Sequence, residues 1–177
     1  MKKRFVLLLL IVFQTLAFAQ NEETNSDTFY QFDVLIPLIR SERVGTNDTS
    51  SSQDSKVIFN GISTKFGYGI QHKKWIGLSI HSGIDWALSE KLLAIPLYGN
   101  LRLSYGFESD SRITLQAGYG IGYGIINHYN FANYGKFSLG LETGNDFILF
   151  AEISGYSFKN NIPDVGFIGL GIAVRTF

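Results

Sequence analysis

The chain has 177 residues, 15 basic and 15 acidic groups, no cysteine, 45% hydrophobic residues and 15% aromatic ones. That length suits one domain. The lack of cysteine excludes a disulfide scaffold, a thiolate metal site, a cysteine nucleophile and a lipid-bearing N-terminal cysteine. Balanced charge gives no electrostatic reason to expect nucleic acid as a partner. The apolar fraction is too low for a bundle of membrane helices. Nineteen Gly, 15 Phe and 9 Tyr beside only 3 Pro point to many β-strands.

The first segment reads as an address. Lys2, Lys3 and Arg4 precede an apolar run of nine residues, Phe5–Phe13, and Ala17-Phe18-Ala19 is a small-x-small cleavage site. This is the layout of a secretory signal peptide over 1–19, and nine residues are too few to span a bilayer. Its removal takes away three basic groups, leaving 12 basic and 15 acidic, a net charge of −3. Residues 20–28 are polar and read as a loose periplasmic tail.

Beyond the address no apolar run reaches the length of a membrane helix. Alternation with period two recurs instead, in eight segments expected to be strands. In chain order these are Phe29–Ile39, Ile58–Ile70, Trp75–Trp86, Ile95–Phe107, Arg112–Ile126, Lys136–Thr143, Phe147–Phe158 and Gly166–Phe177. Short turns at Gln71–Lys74, Glu108–Ser111 and Gly144–Asp146 alternate with longer connections. The long ones are Arg40–Val57, Asn127–Gly135 and Lys159–Val165; Ala87–Leu93 is the shortest on that side. An even strand count with short turns at one end and long loops at the other predicts an all-β fold, a closed antiparallel eight-stranded up-and-down transmembrane barrel over 29–177.

The face opposite the apolar one separates barrel types. A soluble calyx would cover its outside with charge. Here that face carries mostly Gly, Ser, Thr and Asn, with Gly118, Gly120, Gly122 and Gly124 in a row. Small residues suit the crowded interior of a narrow barrel. Phased on the apolar residues, seven mid-strand charges fall on the inner face: Asp33, Lys65, Asp85, Arg102, Glu142, Glu152 and Arg175. A charge facing lipid at the midplane costs ~2–4 kcal/mol, which explains the sorting. Distance from the short turns predicts a Lys65–Glu152–Arg102 cluster, an Asp33–Arg175 pair and His81 nearby, together a salt-bridged plug. Aromatic girdles are expected from Tyr30, Tyr68, Trp75, Tyr105 and Phe147 at one end and Trp86, Tyr123, Tyr134, Tyr156 and Phe158 at the other. Part of that enrichment is ordinary strand propensity, and Trp75 and Tyr156 are out of lipid phase.

With these pieces in view, the chain resembles the small eight-stranded outer-membrane β-barrel proteins, of the OmpA/OmpX-like barrel-only type common in Bacteroidota. The resemblance rests on the signal ending AFAQ, the strand text IPLYGNLRLSYGF, the segment LQAGYGIGYG and the closing GLGIAVRTF with its terminal Phe177. It implies a bacterial outer-membrane location, contact with outer-membrane lipid, and recognition of Phe177 by the barrel assembly machinery. Phe177 is in phase with Arg175 rather than Val174, so either a bulge at Arg175–Thr176 or an inward terminal ring is expected.

Chemistry is sparse. Some barrels of this type are enzymes acting on lipid A, with a catalytic His and Ser. The histidines here are His72, His81 and His128. Neighbouring strand residues face opposite ways, so His81 faces the lumen with Ser79 and Asp85, while Ser82 faces lipid. No catalytic residues are assigned. GYGIGYG lacks the spacing and the following helix of a phosphate loop. Asn47-Asp48-Thr49 matches a glycosylation acceptor but in a bacterial-type exported chain is only loop, and no metal constellation or cofactor site is present. The expected role is structural, or adhesive and ligand-binding through loop 40–57, by a monomeric barrel with a plugged lumen. The alternatives are a lipid A-modifying hydrolase, a narrow channel or transporter for small apolar molecules, and a soluble periplasmic calyx.

Overall fold

The structure, a computed structural model, describes residues 26–41, 56–73, 75–106, 111–126, 131–143, 147–158 and 164–177. The expected signal peptide, most of the tail and of loop 40–57, Asn47–Thr49 and His128 lie outside the described residues. The strands are β1 (Ser26–Ser41), β2 (Lys56–Phe59), β3 (Gly61–His72), β4 (Ile76–Ala87), β5 (Leu92–Gly106), β6 (Ser111–Gly124), β7 (Phe131–Thr143), β8 (Phe147–Phe158) and β9 (Val165–Thr176). Each pairs antiparallel with its neighbour in sequence, except that β1 pairs with both β2 and β3, and β9 closes on β1. β2 and β3 form one course of the wall, so the closed barrel has eight strands. The start of β1 and the end of β9 lie at the same end of the barrel, the terminal end; the opposite end is the loop end.

Closure carries a stagger. Following direct partners from Thr28 through Ile70, Leu78, Leu101, Ala117, Phe137, Ile153 and Ile168 returns to β1 at Leu38, ten residues further on. Strands in such a barrel tilt by about 40°. Each step around the wall therefore raises the direct partner toward the loop end by about one and a quarter residues, ten spread over eight strands.

The boundary between β2 and β3 is a bulge. Leu38 pairs with Phe59 and Leu35 with Ser63, so three residues oppose two. The Asn60 amide donates to the Pro37 carbonyl at 3.0 Å, and the Asn60 side chain holds the β4–β5 turn by accepting from the Ser89 amide at 2.9 Å. Gly61 has φ +141°, and a Cβ there would lie 1.9 Å from the Trp86 carbonyl oxygen. The extra residue switches phase: Phe59 and Ile62, an odd and an even position, both face outward.

Burial is inverted relative to a soluble barrel. Outside stand Leu78, Ile80, Ile153 and Ile168, each about 60% exposed, while Arg102, Arg175, Lys65 and Glu152 inside are 2% exposed. Tyr30, Tyr68, Trp75, Tyr105 and Phe147 are exposed toward the terminal end, and Trp86 and Tyr123 toward the loop end. Tyr134, Tyr156 and Phe158, assigned to the loop-end girdle from sequence, point inward instead. β7 begins at Phe131, five residues earlier than its Asn/Tyr-rich text suggested, and its alternation carries Tyr134 to the lumen face. The glycine row makes room for inward rings: a Cβ at Gly122 would sit 2.3 Å from the Tyr156 ring, and one at Gly118 would sit 2.8 Å from that of Tyr98.

The bulge gives a direct test. Gly61→Ala is expected to lower stability by about 1–3 kcal/mol, the cost of a side chain in a disfavoured conformation against a neighbouring carbonyl. The urea midpoint of the folded barrel in detergent measures it; an unchanged midpoint would mean the bulge relaxes freely.

Candidate functional site: layered charges in the lumen

The inward side chains form layers whose order follows from the stagger. At the loop end lies an apolar cap containing Ala87, Leu92, Ala132, Phe158, Val165 and Phe167. Beneath it Tyr98, Tyr134 and Tyr156 follow one another as tilted rings, with ring centres 5.0 and 4.9 Å apart. His81 lies flat on Tyr98 at 5.3 Å, over the space that Gly67 leaves open.

The middle layer is ionic. Lys65 donates to Glu152 Oε1 at 2.7 Å, and the Lys136 ammonium lies 2.7 Å from Glu152 Oε2. Lys65 also approaches Asp85 at 3.8 Å, and Lys136 approaches Asp33 at 3.9 Å. Asp33 accepts from Gln31 at 2.7 Å, while Asp85 accepts from the Ser63 and Tyr156 hydroxyls. Ser79 and His81 share a hydrogen bond of 2.8 Å.

On one side of the lumen Leu35, Ile148, Phe150 and Ala173 form a second apolar cluster, while elsewhere Asn100 donates to Gln116 at 2.9 Å. Nearest the terminal end, Glu142 accepts from both Arg102 and Arg175, and Arg175 donates to Gln71 at 3.2 Å. The Arg175 guanidinium lies over the Phe29 ring at 5.8 Å and the Phe177 ring at 4.5 Å. Register is regular through Thr176, so no bulge precedes the terminus. The Phe177 ring, half exposed, lies just past the strand end.

All eight lumen residues expected from sequence are buried: Asp33, Lys65, His81, Asp85, Arg102, Glu142, Glu152 and Arg175. Their partners differ from expectation. Arg102 bonds Glu142 rather than Glu152, and Arg175 also bonds Glu142 rather than Asp33. The stagger is the cause. From Arg102 the direct partners run through Gln116 and Ser138 to Glu152, three strands away and so raised well above it. Glu142 sits four residues below Ser138 on β7, which offsets two such steps. Asp33 faces Ala173, while Arg175 faces Gln31.

Lys136 is the residue that sequence reasoning missed. It reads as a strand end beside a polar loop, yet the phase of Phe137, Leu139 and Leu141, extended backward, already turns it inward. With it the charges balance: Lys65, Lys136, Arg102 and Arg175 face Asp33, Asp85, Glu142 and Glu152.

A cavity of about 10 Å³ lies beside Asp85, bordered by Leu35, Ser63 and Phe167. That is room for about one water. Among the described residues no group of His, Asp and Glu is arranged to hold a metal ion.

No family model matches the sequence, and no curated protein is similar to it. Solved structures are similar in fold. Neisserial surface protein A superposes with a TM-score of 0.54 at 12% identity, over 84% of this chain and 97% of that one. A de novo designed transmembrane β-barrel gives 0.45 at 12% identity over 88% and 98%. The outer membrane protein Ail of Yersinia pestis gives 0.44 at 12% over 85% and 100%.

Removing Glu152 is expected to be costly, since it leaves Lys65 and Lys136 buried against one another. Glu152→Ala should lower stability by about 3–5 kcal/mol, the range for breaking a buried pair. Lys136→Met tests the placement of Lys136 separately: a loss well above 1 kcal/mol fits a buried ligand of Glu152, whereas a surface strand end would change stability by no more than about 0.5 kcal/mol. Denaturant midpoints with unchanged slope read both. With these layers inside and an apolar wall outside, the chain has the closed eight-stranded fold of outer-membrane β-barrel proteins.

Proposed function

We propose that the chain is a barrel-only protein of the bacterial outer membrane, of the small OmpA/OmpX-like type found in Bacteroidota. Its wall is embedded in lipid, and its role is structural or adhesive through the loop end. The observation that carries this reading is the inversion of burial. A continuous belt of Leu, Ile and Phe faces outward while every described mid-strand charge is buried within. Such a surface is stable against hydrocarbon, and the closed sheet leaves no backbone edge unpaired in lipid. A water-soluble calyx would carry the opposite pattern.

The filled lumen favours a scaffold over a channel. Packed tyrosine rings, two ionic groups and two apolar clusters occupy much of the eight-stranded interior, as expected for this barrel size. A lipid-modifying hydrolase is disfavoured by access, because His81 and Ser79 are 0% and 3% exposed and face away from the lipid. What remains to meet a partner is the loop end. There the β1–β2 ribbon, Leu38–Ser41 against Lys56–Phe59, leads into segment 42–55 with its hydroxyls and mixed charges.

Recovery of the protein in the outer-membrane fraction, with faster gel mobility before heating than after, is the expected result; recovery in the soluble periplasm would sink the reading. Lipid placement of the wall is tested by Leu101→Lys, expected to cost ~2–4 kcal/mol if that face meets hydrocarbon near the midplane. The purified barrel should be electrically silent in planar bilayers, and steady conductance would reject the plugged lumen.

A further inference from the structure

The two ionic layers are each unbalanced. In the terminal layer two guanidiniums share one carboxylate, which leaves a net charge of +1, and both arginine side chains are 2% exposed. Each uses Nη2 on Glu142. The Nε and Nη1 atoms of Arg102, the Nε of Arg175 and the Nε2 of Gln71 have no acceptor. The Thr114 hydroxyl, at the same depth, is also unengaged. The middle of the lumen shows a mixed population: Asp33 Oδ2, Gln31 Oε1 and Asn100 Oδ1 lack a hydrogen bond, as do the Tyr98 and Tyr134 hydroxyls and His81 Nδ1. The unused guanidinium and amide N–H donors are concentrated where the excess charge is positive.

A buried donor without an acceptor is unfavourable, and two arginines beyond the need of one carboxylate more so. We propose that the terminal layer is a binding site for a small free oxyanion of the phosphate class, held by Arg102, Arg175, Gln71 and Thr114 beside Glu142. Unused donors on β3, β5, β6 and β9 call for a ligand with several acceptor atoms. Guanidinium forks match paired oxygens, and the free edges of both arginines include Nε. A cation has no unused carboxylate oxygen to bind there.

The source is the aqueous compartment at the terminal end, since all four groups face the lumen and the wall separates them from lipid headgroups. Arg175 is two residues from the chain end, and the half-exposed Phe177 ring lies across its guanidinium. Glu142 holds one edge of each fork and competes with the ligand for them.

The test uses the full barrel, folded in a phosphate-free maltoside detergent at constant ionic strength and titrated calorimetrically with sodium phosphate. One saturable site per barrel is expected. Gln71→Glu places a carboxylate beside Arg175 with almost no change of shape, and should weaken phosphate at least about tenfold. Glu142→Gln removes the competing carboxylate and should tighten it about tenfold. Absence of a saturable heat in the wild-type barrel overturns the proposal. So does equal affinity in a Gln71→Glu barrel whose heat-shifted mobility shows it folded. Should Glu142→Gln fail to fold, the Gln71→Glu comparison decides alone.

Discussion

Closing eight strands with a ten-residue stagger sets the width of the tube and the depth at which every inward side chain stands. A tube this narrow has room for side chains and little else. The charges that point inward are buried, so each must find an opposite charge within reach. The balance of four cations and four anions in the lumen answers that constraint. A single carboxylate, Glu152, holds two of the cations, and another, Glu142, holds the other two.

The outer wall answers the complementary constraint of the proposed placement in lipid. Such surroundings offer no hydrogen bonds, so the backbone must be satisfied by neighbouring strands all the way round. The bulge at Asn60–Gly61 belongs to this economy. It lets β1 continue past its last β9 partner, Leu38, by pairing with β2, so the wall grows into a ribbon at the loop end without opening the barrel below. Only glycine tolerates the position, because the Trp86 carbonyl occupies the place of a Cβ.

The lumen holds two ionic groups and two apolar clusters. Low polarity around the ionic groups strengthens their pairs and raises the cost of any group left single. Rings opposite glycines fill the remaining width, as Tyr156 does at Gly122 and His81 at Gly67. The Ser79–His81 hydrogen bond is part of this packing and lies within the lumen.

Much of this was legible in the sequence. Alternation of period two is a local property, and with the apolar residues gathered on one face it states directly which residues stand on the outer wall and which face in. Hence the strands, the closed barrel and the inward phase of Asp33, Lys65, Asp85, Arg102, Glu142, Glu152 and Arg175 could be read before any coordinates. Pairing could not, because contact inside a barrel depends on the stagger between strands far apart in the chain. That stagger separates Arg102 from Glu152 and delivers it to Glu142. Lys136 and Tyr134 were hidden for a related reason: β7 continues upward through polar text that only its pairing with β6 and β8 makes a strand. The sequence by itself determined the sides of the wall, since each residue's face follows from its neighbours. Only the tertiary structure decided the partners, since closure chooses which faces meet.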